Sequence, residues 1–560
     1  MLVKVCGAAL QGIDAIKISI ESLVEPGFSI TLVGMPDKAV KESIQRVESA
    51  VDHSGMEFPR RKILVNMAPA EVKKEGAAYD LPLAIGILAA DKKLPSEILD
   101  RYMIMGELSL DGSLLPIKGV LPMAILARKL GLKGFIVPAE NATEAAVVNN
   151  LEVYGAHSLR EVCDHLTGVV PIEPTVVDTR KEFGSAVETF PFDFSEVKGQ
   201  ENVKRAFEVA CAGGHNILLV GPPGSGKSMM AKRLPSILPP LTLHEALETT
   251  KIHSVAGNLK GGSTLMSHRP FRAPHHTISN VALVGGGANP MPGEISLAHN
   301  GILFLDEFPE FSRTALEVMR QPLEDRNITV ARAKYTLEYP ASFMLVASMN
   351  PCPCGYYTHP TKLCTCTSAQ VQRYLGRISG PLLDRIDLQI EIQPVPIADL
   401  KDAPAGESSA EIRRRVILAR NIQQLRYQEF PGIHCNAQMN SKMIARWATP
   451  DAEAMQILET TMTRFDMSAR AYDRILKVSR TIADLDRARL LLSQSPQPTT
   501  PPTMAATTPT TVAATAVAAN KQSPLPEITE ADINTPVTAL HMHEAVSYRN
   551  LDRASWGLKY

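Results

Sequence analysis

One stretch of this 560-residue chain leaves little choice about its surroundings: the apolar run Ile217-Leu-Leu-Val220 passes directly into GPPGSGKS at 221–228. Those eight positions fit GxxxxGK[ST] in a strand–loop–helix setting. Each residue type has a physical reason. Gly221, Gly224 and Gly226 let backbone N–H groups converge on phosphate oxygens, with Pro222, Pro223 and Ser225 shaping the turn between them. Lys227 can reach β- and γ-phosphates, and the Ser228 hydroxyl can hold Mg²⁺. A chance glycine-rich turn is the competing reading, and the strand before it argues against that. The expected ligand is a nucleotide.

Further apolar runs at 301–305 and 343–348 suit the buried strands of a parallel sheet covered by helices. The first ends in Leu305-Asp306-Glu307. In phosphoryl transfer an acid at such a strand end holds the metal, and its neighbour positions the attacking water. Asp306 takes the first role and Glu307 the second. The plainer reading, a solvated turn at a strand exit, loses force once the phosphate loop is present. Asn350, just past the third run, is placed to orient that water or sense the γ-phosphate. Arg385, in GPLLDRID, could reach a neighbouring subunit's nucleotide, and Arg470, in MSARAY, could contact the γ-phosphate from a helical lid. Singly, each would be read as a surface or salt-bridged residue; their order after the phosphate loop favours function.

The length requires several domains, because single cores rarely grow past about 250–300 residues. Residues 1–170 alternate strand and helix periods and read as an α+β domain. A Pro- and Val-rich linker follows to 192, then a nucleotide-binding α/β core at 193–393 and a helical region at 394–560. A Thr-, Pro- and Ala-rich insert at 493–526 lacks the large apolar side chains needed to offset ordering entropy. Charges nearly cancel, 58 Lys and Arg against 59 Asp and Glu, which disfavours a protein coated in nucleic acid. Aromatic residues are only 5%, which disfavours a stacking platform for single strands. No apolar run approaches the ~20 residues of a membrane helix, and nothing at the N-terminus reads as a signal peptide. A cytoplasmic protein without membrane contact is expected.

Residues 193–393 resemble the AAA+ ATPases of the magnesium-chelatase branch. The set FSEVKGQENVKRA, GPPGSGKS, RPFRAPHHTIS, LFLDE, MNPCPCG and GPLLDRIDL resembles the YifB/ComM family in particular. The Ser-Ala-Arg470 segment and the terminal HEAVSYRNLDR carry that likeness through most of the chain. The resemblance implies a P-loop AAA+ core with a helical lid and a homo-hexameric, Mg²⁺-dependent ATPase. It also implies a branch-migration helicase or translocase acting on DNA in natural transformation. It would place Gln200 by the adenine and 269–279 in an insertion of the second core helix. GELSLDGSLLPIKGVLPMAI at 106–125 resembles the Lon-protease type of domain. Peptidase chemistry there needs a Ser activated by a Lys. Where that family carries them, this chain reads Glu75-Gly-Ala-Ala78 and Gly119-Val-Leu121, so the fold is expected without the dyad.

Three features stay open at this level. Cys352, Cys354, Cys364 and Cys366 offer four soft ligands for a structural Zn²⁺, or are simply reduced thiols. NITVARAKYTLEYPA at 327–341 reads as a β-hairpin. Arg332 and Lys334 stand near its tip, where they would grip DNA in a ring's pore or merely face solvent. Arg413-Arg-Arg415 with Arg420 reads as a DNA-facing stripe or as an ordinary solvated helix face. The rival function is a chelatase-like or chaperone-like motor that remodels a protein partner.

Overall fold

The computed structural model describes residues 1–179, 183, 190–259, 265–287, 290–332, 335–357, 359–394, 406–465, 467–494 and 525–549, without the side chains of Arg332 and Tyr335. The insert at 493–526 therefore lies almost wholly outside the described residues, and so does the terminal NLDR.

The N-terminal region is built on a mixed seven-stranded sheet. Its order is Ile30–Val33, Lys62–Ala68, Asp14–Glu25, Leu2–Gln11, Tyr102–Ile104, Gly134–Pro138 and Glu152–Ala156. The alternation at 16–21 is expressed as expected, with Ile18 and Ile20 fully buried. Helix Lys38–His53, capped by the Asp37 carboxylate, turns Val40, Val47 and Val51 into the core. The most apolar run of the region forms helix Asp80–Ala90, buried on every side. No helix among the described residues is long and apolar enough to cross a membrane.

The second sheet is parallel throughout, in the order Phe271–Arg272, Ile302–Leu305, Met344–Met349, Ile217–Val220, Leu388–Glu391. Strands Ile217–Val220 and Ile302–Leu305 are apolar without a break because both faces are covered. Ile217 and Leu219 enter one core with Phe304 and Val346, while Leu218 and Val220 enter another with Leu303, Leu305 and Leu345. Period two along the strand thus feeds two cores at once. The phosphate loop leaves the carboxyl end of Ile217–Val220, between Met344–Met349 and Leu388–Glu391, the last two strands of this sheet in the chain. Ligands of open parallel sheets bind at such a position.

The helical region is not a detached body. Helices Ser409–Arg426, Ala469–Gln494 and Ala539–Ser547 share the first of these cores, through Val416, Ile422, Ile482, Leu485 and Met542. The N-terminal region docks through helix Leu243–Ala256. There Ser254 donates to buried Glu144 at 2.5 Å, Gly119 N–H donates to the Ser254 carbonyl, and Lys251 pairs with Asp14 at 2.6 Å.

Candidate nucleotide-hydrolysing site

The phosphate loop needs its glycines for backbone reasons. Gly224 and Gly226 have φ of +78° and +86°, and a Cβ on Gly224 would meet nothing within 4 Å. The constraint there is left-handed backbone, not space. The helix that follows, Lys227–Ala231, is short. Lys227 is buried and folds back on its own loop, donating to the carbonyls of Gly221 at 2.7 Å and Pro222 at 2.9 Å. Burial lowers its pKa, with Asp306 opposing. Ser225 is 8% exposed, and its buried hydroxyl has no hydrogen-bond partner among the described residues. A loop with an orphaned donor and a lysine satisfied only by neutral oxygens fits an anionic ligand.

Asp306 and Ser228, far apart in sequence, meet directly: the Ser228 hydroxyl donates to Oδ2 at 2.6 Å. Oδ1 accepts from Ser348 and from the Glu307 N–H. The donor set, a hydroxyl beside a fixed carboxylate, is the hard-oxygen chemistry that Mg²⁺ prefers. Glu307 has a φ of +54°, an uncommon backbone for a glutamate, and its side chain is 58% exposed. Strain of this kind collects at functional sites. Its Oε2 lies 3.1 Å from His276 Nδ1, a partner the sequence reading did not assign. Asn350 follows its strand and places Oδ1 3.3 Å from Lys227 Nζ. Gln200 opens helix Glu201–Gly213 with its side-chain amide donating to the Gln393 carbonyl at 2.6 Å.

Arg385 is elsewhere. It precedes strand Leu388–Glu391, so it stands at the amino end of the sheet, opposite the phosphate loop. It is 4% exposed, bonded to the Pro381 carbonyl and paired with Glu324 at 2.5 Å. Arg470 is exposed in the first turn of Ala469–Gln494, where its charge, like those of Arg385 and Arg474, bears on Glu324. The charges of Arg470 and Arg385 therefore bear on the same carboxylate.

The profile of the magnesium chelatase subunit ChlI matches residues 193–400, with further profiles of that subunit matching 20–141 and its C-terminal part matching 406–495. The chain is 43% identical to the protein YifB of Escherichia coli over 488 residues, covering 87% of this chain and 94% of that one. It is 44% identical to the competence protein ComM of Haemophilus influenzae over 483 residues, covering 85% and 92%. The chain belongs to the YifB/ComM family. That membership supports an AAA+ ATPase role of the magnesium-chelatase type. Likeness to Lon protease is weaker and partial, 28% identity with the Rhizobium meliloti protein over 174 residues, or 29% of this chain and 21% of that one.

In this YifB/ComM-family chain the four cysteines of 352–366 converge, with one sulfur from each within 4.8 Å of the others. Three of the four arginines between Arg413 and Arg420 are tied into the fold and not left to solvent or DNA. Arg413 donates to the Leu238 carbonyl and lies over the Phe190 ring, Arg415 pairs with Glu208 and Glu407, and Arg420 donates to the carbonyls of Cys211 and Ala212. A run of arginines could not by itself reveal the partners packed against it. The hairpin forms as Asn327–Arg332 against Tyr335–Pro340. Lys334 and the Arg332 side chain lie outside the described residues. In the N-terminal region Ala77 opens a 3₁₀ turn, Leu121 is buried, and a Cβ on Gly119 would approach Leu10 to 2.5 Å.

Proposed function

We propose that this protein is an ATP-hydrolysing ring motor acting on DNA, a branch-migration helicase or translocase serving natural transformation and recombination as a cytoplasmic homo-hexamer. The observation that carries this reading is the division of charge between the two ends of one sheet. Lys227, Ser228, Asp306, Glu307 and Asn350 gather at the carboxyl end, while Arg385 and Arg470 stand with Glu324 at the amino end. A second copy added head to tail would set those arginines against the first copy's phosphate loop, and head-to-tail contacts close into rings. Glu324 holds Arg385 until a phosphate replaces it.

Within the site, Lys227 exchanges the carbonyls of Gly221 and Pro222 for phosphate oxygens. Ser228 and Asp306 would hold Mg²⁺, which would supply positive charge to offset that developing on the transferred phosphoryl group. Glu307 takes the proton of the attacking water while Asn350 orients it. Gln200 lies by the base. The N-terminal region is read as a Lon-protease-type fold without peptidase function, since the positions of its dyad are apolar. The four cysteines are read as a structural zinc site, separate from the magnesium.

The test is the ATPase rate of the full chain alone and with single-stranded, duplex or branched DNA. Stimulation of several-fold, greatest with branched DNA, is expected. A rate indifferent to all three would remove DNA and leave the protein-remodelling motor.

A further inference from the structure

The strand Met344–Met349 continues as Asn350-Pro-Cys-Pro-Cys, so the backbone that sets Asn350 beside Lys227 supplies a thiol two residues later. The return arm, Cys364-Thr-Cys366, comes back to the same point, and Thr367 caps helix Ser368–Leu375. The cysteine sulfurs stand 3.3 Å (352–354), 3.7 Å (352–364) and 3.6 Å (354–364) apart, all as free thiols. A tetrahedral ion with metal–sulfur bonds of about 2.3 Å has sulfur–sulfur edges of about 3.8 Å. The spacing fits a single soft ion and is too close for the wider spread of thiolates around an iron–sulfur cluster. A backbone N–H supports one of the sulfurs: that of Tyr357 donates to Cys352 Sγ at 3.4 Å. Such bonds stabilise thiolate ligands.

Gly355 sits inside this knuckle with φ of +83°, and a Cβ there would lie 2.5 Å from Pro223 Cδ. The knuckle rests directly on the phosphate loop. Beyond it, Tyr357 and His359 face Val220, Gly221 and Pro222 across a narrow cleft.

We propose that zinc held by Cys352, Cys354, Cys364 and Cys366 makes this knuckle a rigid abutment for the phosphate loop, so that metal occupancy sets nucleotide affinity. The inference rests on the zinc and nucleotide readings above and adds the link between them. Without the ion, the polar knuckle must be ordered anew each time nucleotide binds. Apparent affinity then falls in proportion to the fraction of chains in the competent arrangement.

The full chain, purified without chelator, is analysed for metal and titrated with a fluorescent ATP analogue. The titration is repeated after chelation, after zinc return, and on Cys364→Ser/Cys366→Ser and Gly355→Ala. About one zinc per chain is expected. Its removal weakens ATP-analogue binding at least about tenfold, or about 1.4 kcal/mol. Zinc restores binding, and magnesium, which takes oxygen ligands, does not. Gly355→Ala keeps the zinc yet loses affinity, because its methyl displaces Pro223; this arm holds even if the zinc-free protein unfolds. Unchanged affinity in Gly355→Ala, or in folded zinc-free protein, overturns the coupling and leaves the zinc site standing. Folded protein without zinc and with four freely titratable thiols overturns the zinc reading itself. Failure of the zinc-loaded parent to bind the analogue overturns the nucleotide reading.

Discussion

Lys227 and Asp484 are both charged groups taken out of water, and the chain treats them in opposite ways. Lys227 is bonded to the carbonyls of Gly221 and Pro222 and to the Asn350 amide oxygen, all neutral. Asp484, fully buried in the helical region, accepts from Arg426 at 2.6 and 2.8 Å, from Arg480 at 2.8 and 3.1 Å, and from Asn436 at 2.8 Å. Burial opposes its charge, yet Arg426 and Arg480 outweigh burial and hold the carboxyl below its ordinary range. A buried cation whose hydrogen bonds go only to neutral oxygens is a place for an incoming anion. A buried anion clasped by two guanidinium groups is scaffold.

The sharpest way to break this contrast is at the scaffold end. Asp484→Ala leaves Arg426 and Arg480 buried without their counter-ion and should cost about 3–5 kcal/mol, read as a lowered urea midpoint. The acid limb follows in sign. The folded carboxyl titrates below its unfolded value of about 4, so the unfolded chain binds more protons between the two. The pair's stabilisation is therefore complete above about pH 4 and is lost as pH falls through the folded value. Asp484→Asn should flatten that limb. An Asp484→Ala protein as stable as the parent would place the bundle's stability elsewhere.

At the site end the effects should fall on chemistry and leave folding nearly untouched. Glu307→Gln keeps the phosphate loop, so the ATP analogue should bind while turnover falls at least about 100-fold. Lys227→Ala should lose affinity itself, with unfolding free energy changed by less than about 1 kcal/mol. Near-normal turnover in Glu307→Gln would remove that residue from its role. A strongly destabilised Lys227→Ala would make the lysine part of the scaffold after all.

The two halves of this contrast were unequally legible in the sequence. The phosphate loop and the strands at 217–220, 302–305 and 344–349 could be read because continuous apolar runs have few places to go other than a doubly covered sheet. The meeting of Ser228 with Asp306 follows once those strands lie side by side. His276 could not be assigned a partner, since HHT marks a pair of imidazoles without saying which acid they face. The scaffold was less visible still. Arg415 and Arg420 could be read as solvated or DNA-facing until helix Glu201–Gly213 was laid on them, and Arg426 and Asp484 sit 58 residues apart on different helices. Burial of charge depends on partners from distant elements, and local spacing carries no record of them.

The hairpin offers a third kind of charge, and with it the smallest effect. Arg332 ends strand Asn327–Arg332, paired in register with Tyr335, and Lys334 follows it in sequence. They are the only basic residues between Asn327 and Ala341. If they touch DNA phosphates in a ring's pore, each contact releases counter-ions, and losing it should reduce the logarithmic salt slope by roughly 0.7–0.9. Arg332→Ala/Lys334→Ala should thus bind DNA more weakly with a shallower salt dependence, measured by titration at several salt concentrations. DNA-stimulated turnover should fall with it, while basal hydrolysis survives because neither residue belongs to the nucleotide site. An unchanged salt slope would make the hairpin bystander surface. The stretch Arg413–Arg420 could not replace it, because Arg413, Arg415 and Arg420 are already committed to the fold. The DNA-gripping surface would then have to come from another face of the ring.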